Sequence, residues 1–244
     1  MLRDLLGGEP RQAEGLLLAA MTQMEQLMTE LQKRIATGDA RQHEYRKLEI
    51  WTAGLLGSLD ELEQSQFAAH WFGKRITSRY LSVMSSEEMM DYYRHIYFDK
   101  NAFIRIFALL DKLGTFLNEW LTLDTGESKK HFSYFTVLRR MQERRIEPRL
   151  GERLFKIKET YREPMSRLRK RRNTEIHYMN SELQDDLRHS RGAYGQDIPL
   201  EDIASQLADL DQGCEMVMRT LAETFSYAQT MMRKHGKYGI LGQE

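Results

Sequence analysis

The sequence predicts an all-α bundle of about six or seven helices, and three observations predict it. Apolar residues recur at intervals of three and four along every long segment, the period of one helix face. Only 4 of the 244 residues are Pro, so helices meet few interruptions. No stretch shows the strict apolar–polar alternation of a half-buried strand. The length is enough to bury a substantial core as one large domain or two small ones. Plentiful aromatics and 14 Met supply apolar mass to offset the entropy of ordering the chain.

The elements follow in order. Met24, Leu27, Met28, Leu31 and Ile35 line one face of a first helix expected over about 11–35. Gly38 stops it and Asp39 offers an N-cap for the next. In that second helix Leu48, Trp51, Leu55, Leu59 and Leu62 keep the same spacing, with an extension toward Phe72 and a stop at Gly73. Ser85-Ser86-Glu87-Glu88 reads as a helix start, with hydroxyl caps and acids at the positive end of the dipole. From Phe103 to Leu121 the following helix is apolar most of the way round, which marks the buried centre of a bundle. Gly126 closes this part, and Ser128 is placed to cap a helix running to about Arg145.

Pro148 then separates a helix beginning near Leu150, with Pro164 kinking or restarting it, and helix is expected to about Met179. Residues 180–199, rich in charge and holding Gly192 and Gly195, read as a long exposed loop. A last helix opens at Pro199 or Leu200 and packs through Ile203, Leu207, Leu210, Cys214, Val217, Leu221, Phe225 and Met232. The first two helices, residues 1–84, are expected as a hairpin or elaboration packed on a domain formed by residues 85–244.

Composition narrows function. Lys plus Arg equal Asp plus Glu at 36 each, so no global basic field draws the chain to nucleic acid, and any phosphate-binding surface is local. The single Cys214 permits neither an intramolecular disulfide nor a Cys-rich zinc site, and its neighbours Leu210, Val217 and Leu221 read it as a core residue. No window approaches the ~20 apolar residues of a membrane span. Without a leader-like start, the expected location is the cytoplasm. Gly-rich phosphate loops, nucleophile elbows and paired zinc-binding His motifs are missing, so neither a metal nor a cofactor is expected.

What remains is Arg167-Leu168-Arg169-Lys170-Arg171-Arg172-Asn173-Thr174-Glu175-Ile176-His177-Tyr178. Asn173 and His177, four apart, share a helix face with Arg169 one turn earlier; Arg172 lies about 140° round from His177 at ~100° per residue. A guanidinium can hold phosphate oxygens in a forked geometry, an imidazole can move a proton near neutral pH, and an amide can orient either. The plainer reading stands beside this. Basic runs on helices are usually solvated faces, Glu175 can pair with Arg171 or Arg172, and a His between Ile176 and Tyr178 can be structural.

This segment resembles the signature of the HEPN superfamily of helical-bundle domains: Arg followed by a polar residue, often Asn, and a His four to six residues on. Arg172-Asn173, three further residues and His177 match it. The resemblance covers about Ser85 to Lys234, and the chain looks most like the bacterial stand-alone HEPN families. It implies a metal-independent endoribonuclease, a toxin or defence effector, in which two protomers pair and the RNA 2′-hydroxyl attacks the adjacent phosphate. By the same resemblance His177 is the acid/base or transition-state donor, Arg172 the phosphate clamp and Asn173 the orienter, with Arg169 and Arg171 as backbone contacts. Antitoxin-paired members often carry Tyr two residues after the His; here Tyr178 follows directly and Met179 takes that position, which leaves any antitoxin unidentified. The alternative is a non-catalytic HEPN-like homodimer that binds a nucleotide or a protein partner.

Overall fold

The computed structural model describes residues 1–38, 41–125, 133–177, 200 and 202–235. They form α1 (Leu2–Leu5), α2 (Gly15–Ala36), α3 (Gln42–Gly73), α4 (Ser86–Trp120), α5 (Tyr134–Arg144), α6 (Pro148–Thr160), α7 (Arg162–His177) and α8 (Ile203–His235), with one 3-10 turn at Leu81–Val83. Seven of these are long and α1 is a single turn. The described residues contain no strand, only an isolated bridge at Tyr80. The fold is an all-α bundle.

Local chemistry explains the boundaries. The first long helix opens at Gly15 rather than Arg11, because Glu14 is extended and residues 8–14 are irregular. It ends where Gly38 takes a left-handed φ of 72° that a residue with a Cβ adopts only under strain. The Asp39 cap, the Gly126 stop, the Ser128 cap and the 180–199 loop fall outside the described residues, as do Tyr178 and Met179. At the start of α4 the Ser85 hydroxyl accepts the Glu88 N–H at 3.2 Å, the capping that the sequence predicts. Pro148 occupies the first turn of α6. Pro164 restarts rather than kinks: helix breaks at Tyr161, and the proline sits in the first turn of α7, where its missing N–H is not needed. The last helix opens at Ile203, with the Asp202 carboxylate accepting the Ser205 N–H at 3.0 Å.

The chain forms two compact units, one from Met1–Arg11, Glu61–Arg105 and Arg162–Cys214, the other from Gln12–Asp60, Ile106–Tyr161 and Glu215–Glu244. Helices α3, α4 and α8 contribute residues to both. The second unit has an apolar core: Phe116 lies 5.0 Å from Phe225 and 6.1 Å from Trp120, with Leu113, Leu117, Val137 and Leu221 buried. Gly114 allows the backbone of Tyr134 to approach, since a Cβ there would meet its Cα at 2.9 Å.

The first unit is held differently. Phe72 stacks on Phe98 at 5.8 Å, but three inward positions of α4 are Asp91, His95 and Asp99, all buried. His95 donates from Nδ1 to the Ala69 carbonyl at 2.9 Å. Asp211 accepts from Gln66 and pairs with His70, each at 2.7 Å; burial pushes its carboxyl up, but those hydrogen bonds outweigh it and hold it below its ordinary value. Cys214 is free and buried, and burial pushes its thiol well above the ordinary value, with Asp211, Glu63 and Asp99 adding to the rise. Among the described residues no helix is long and apolar enough to cross a membrane.

Candidate functional site

Helix α7 divides in two along its length. Its first half is anchored by Pro164, Met165 and Leu168, all buried. Beyond Leu168 no residue of α7 buries an apolar side chain, and Ile176 is half exposed. The stretch Arg169–His177 is thus packed by charge. The Arg167 guanidinium grips Asp209 of α8 through two hydrogen bonds, at 2.7 and 2.6 Å, and this bonding raises its pKa above the ordinary value. One turn on, Arg171 forms an ion pair with the buried Asp99 of α4 while its guanidinium lies over the Phe103 ring, 4.8 Å from the centroid. A further turn on, Glu175 meets Lys100 of α4 at 3.1 Å. All of these groups belong to one compact unit.

The residues singled out by sequence fall around this frame. Arg169 is exposed, Asn173 half-buried and His177 exposed at the last residue of α7, so the stripe 169/173/177 faces outward. Neither Asn173 nor His177 makes a side-chain hydrogen bond to another described residue. Arg172 follows Leu168 by four, and so continues the inward stripe; it is half-buried, with Nε screened from solvent. The structure therefore keeps Arg169, Asn173 and His177 on one face and turns Arg172 away from His177, about 140° round the helix. Arg171 is engaged by Asp99 and Phe103, while Arg169 and Lys170 are exposed.

Sequence reasoning passed over Asp99, Lys100 and Asp209, the residues that hold α7. One signal was available: Asp91, His95 and Asp99 recur every four residues on α4, at positions where a core helix ordinarily carries apolar side chains. Charges on an inward stripe require partners, and for Asp99 that partner comes from another helix.

Chemically, the outward stripe combines a donor-rich guanidinium, an amide and an imidazole that solvent and a polyanion can both reach. Among the described residues no three His, Cys, Asp or Glu side chains converge into a metal-binding group. A comparison with protein families gives a match between residues 51–229 and the model described as HEPN_Cthe2314-like HEPN. The match runs from within α3 to within α8 and takes in α7 and the residues of α4 and α8 that pair with it. No curated protein and no solved structure matches the chain.

Proposed function

From the premise that the chain belongs to the HEPN_Cthe2314-like HEPN family, we propose that it is a metal-independent endoribonuclease acting as a homodimer. The observation that carries this reading is the exposed His177, aligned with Asn173 and Arg169 on the outward face of α7. An imidazole there can take the proton from an RNA 2′-hydroxyl as that oxygen attacks the adjacent phosphorus. The P–O5′ bond then breaks, leaving a 2′,3′-cyclic phosphate and a 5′-hydroxyl whose proton returns through an imidazolium. Asn173 orients the ring or the phosphate. Arg172, and from the surface Arg169, meet the charge that builds on the phosphate oxygens; Arg171 has the weaker claim because Asp99 already holds it.

The homodimer is supported by geometry. Arg172 and His177 diverge by about 140° around α7, so one chain does not readily offer both to one phosphate, and a second copy can complete the set. A candidate surface for that copy is on α4, where Met90, Tyr93 and Tyr97, spaced three and four apart, are each more than half exposed. Tyr and Met are enriched where proteins meet. They share α4 with Lys100, which holds Glu175 two residues before His177.

The non-catalytic alternative, a helical dimer that binds a nucleotide or protein partner, draws on the engagement of Arg171 and on the zero net charge. One assay separates the two. Wild type and His177→Ala are compared on an RNA and on its counterpart with a single 2′-deoxy nucleotide at the cleaved position, with and without chelator. The ribonuclease reading expects cyclic-phosphate ends in both conditions, no cleavage of the deoxy substrate, and a loss of about 10²-fold or more in His177→Ala. The thermal midpoint should barely move, because an exposed ring contributes little packing. Full activity in His177→Ala, or cleavage of the deoxy substrate, would remove this mechanism.

A further inference from the structure

Three ion pairs of α7 have a spacing that bears on the site. Their α7 members are Arg167, Arg171 and Glu175, each four residues from the next, so they form one stripe along the helix. The stripe of Arg169, Asn173 and His177 is displaced from it by two residues throughout, which is about 200° of rotation, so the two stripes lie on opposite sides of α7. The partners come from two different helices, Asp209 from α8 and Asp99 and Lys100 from α4.

Packing alone does not set the rotation of this stretch. Leu168 is the last buried apolar side chain of α7, and the residues after it, Asn173 and His177 among them, bury none, with Ile176 half exposed. Burial of apolar surface is in any case non-directional. The forked Arg167–Asp209 contact and the Arg171 guanidinium, held between a carboxylate and a ring, are directional. Asp99 is 2 % exposed, so this pair is little screened by water.

We propose that Asp99 and Lys100 of α4 and Asp209 of α8 are positioning residues: through Arg171, Glu175 and Arg167 they fix the rotation of α7 and so the direction in which Asn173 and His177 face. The catalytic side of this inference rests on the ribonuclease reading above; the geometric side does not. The three pairs form a charge key rather than a reserve of stability. A buried ion pair is a weak source of folding energy and a good source of register.

The Lys100–Glu175 pair offers the cleanest test, because its charges can be exchanged. Lys100→Glu and Glu175→Lys each set like charges against one another, and the double variant restores the pair in reverse. Wild type, the two single variants and the double variant are compared by RNA cleavage, thermal melting and NMR of labelled histidine rings. The His177 signal is assigned by its loss in His177→Ala. The expected result is a fall in kcat of about tenfold or more in each single variant with KM nearly unchanged, because misplacement by about an ångström is costly to the reaction. The His177 ring signal shifts in both single variants, and rate and signal both return in the double. Glu223→Arg, which sets like charge against Arg153 in the other unit, controls for charge reversal as such and should leave kcat unchanged.

Single variants with full kcat and an unmoved ring signal overturn the proposal, as does a double variant that recovers neither. If wild type cleaves no RNA, the ribonuclease reading falls and the ring signal alone decides: moved by the single variants and restored by the double, it supports the key; unmoved, it ends it. Should a charge reversal unfold the chain, Lys100→Gln and Glu175→Gln replace the reversals, with the shifted ring signal as the expected result.

Discussion

Along the first turns of α4 the inward residues are Asp91, His95 and Asp99; along its last turns they are Leu110, Leu113, Leu117 and Trp120. One continuous helix therefore serves two compact units by two kinds of chemistry. The apolar end packs through Phe116 against Phe225 of α8, in a core where Leu221 and Val217 are also buried and no charged partner is needed. At the polar end each carboxylate answers to a particular cation, Asp91 to Arg94 and Asp99 to Arg171. The difference suggests why the candidate site lies on the helix held by the polar half. Buried charge adds little stability, but it specifies which face points where.

The comparison breaks first where the expected effects are largest. Phe225→Ala removes a fully buried ring 5.0 Å from Phe116 and should cost about 3–5 kcal/mol in chemical denaturation. Asp99→Ala leaves the Arg171 guanidinium without its carboxylate and should cost about 3 kcal/mol, the lower end of the range because Arg171 retains some exposure. The two losses separate on repair. Asp99→Leu with Arg171→Met replaces the pair by apolar groups beneath Phe103 and should return stability to near wild type, whereas nothing smaller than an aromatic refills the Phe225 site. If the repaired variant stays as unstable as Asp99→Ala, the polar half is held by something other than charge pairing.

The apolar half was the legible half. Met24, Leu27, Leu31 and Ile35 on α2, and Leu48, Leu55 and Leu59 on α3, are buried as their spacing predicts, because an apolar side chain needs only an inside to go to; Met28 and Trp51 of the same stripes are half-buried. Asp99, Lys100 and Asp209 were not legible as partners of α7. These charge pairs join residues 42 to 75 positions apart in the chain, and periodicity within one helix carries no record of which distant cation meets which carboxylate. The candidate site was legible only in part. Asn173 and His177 fall on one face, as their four-residue spacing requires, but the inward turn of Arg172 follows from Leu168 being the last apolar anchor of α7.

A second, smaller effect concerns the start of the polar half. The Glu88 carboxylate is held at about 2, against an ordinary 4.5, by the Ser78 hydroxyl and by the backbone N–H groups of Ser78 and Thr77, at 2.7 and 2.6 Å. A depressed carboxylate stabilises the fold above its unfolded value, and that contribution is lost as pH falls through the folded value. Glu88→Gln should therefore lower the thermal midpoint at pH 7, and the gap from wild type should close between about pH 4.5 and pH 2. A gap of the same size at both ends would mean that Glu88 acts by shape rather than by charge.

The smallest effect sharpens the comparison from the other side. In the apolar unit Arg153 and Glu223 also form an ion pair, at 3.2 Å, but Arg153 is exposed and Glu223 only half-buried. Water screens such a pair, and ordering two long side chains offsets much of what remains, so a double-mutant cycle of Arg153→Ala and Glu223→Ala should give a coupling of about 0.2–1 kcal/mol. The coupling should shrink further as salt is raised, since exposed charges are screened over about 10 Å at 0.1 M. The same cycle on Asp99 and Arg171 should give a larger coupling that salt hardly touches, because one partner is buried and the other is covered by Phe103. Position rather than the formal presence of an ion pair then decides what charge does here. On the surface of the apolar unit it is close to neutral for stability, and beneath α7 it sets the face that the helix presents. Equal couplings with equal salt dependence would erase that distinction and return α7 to being one more packed helix.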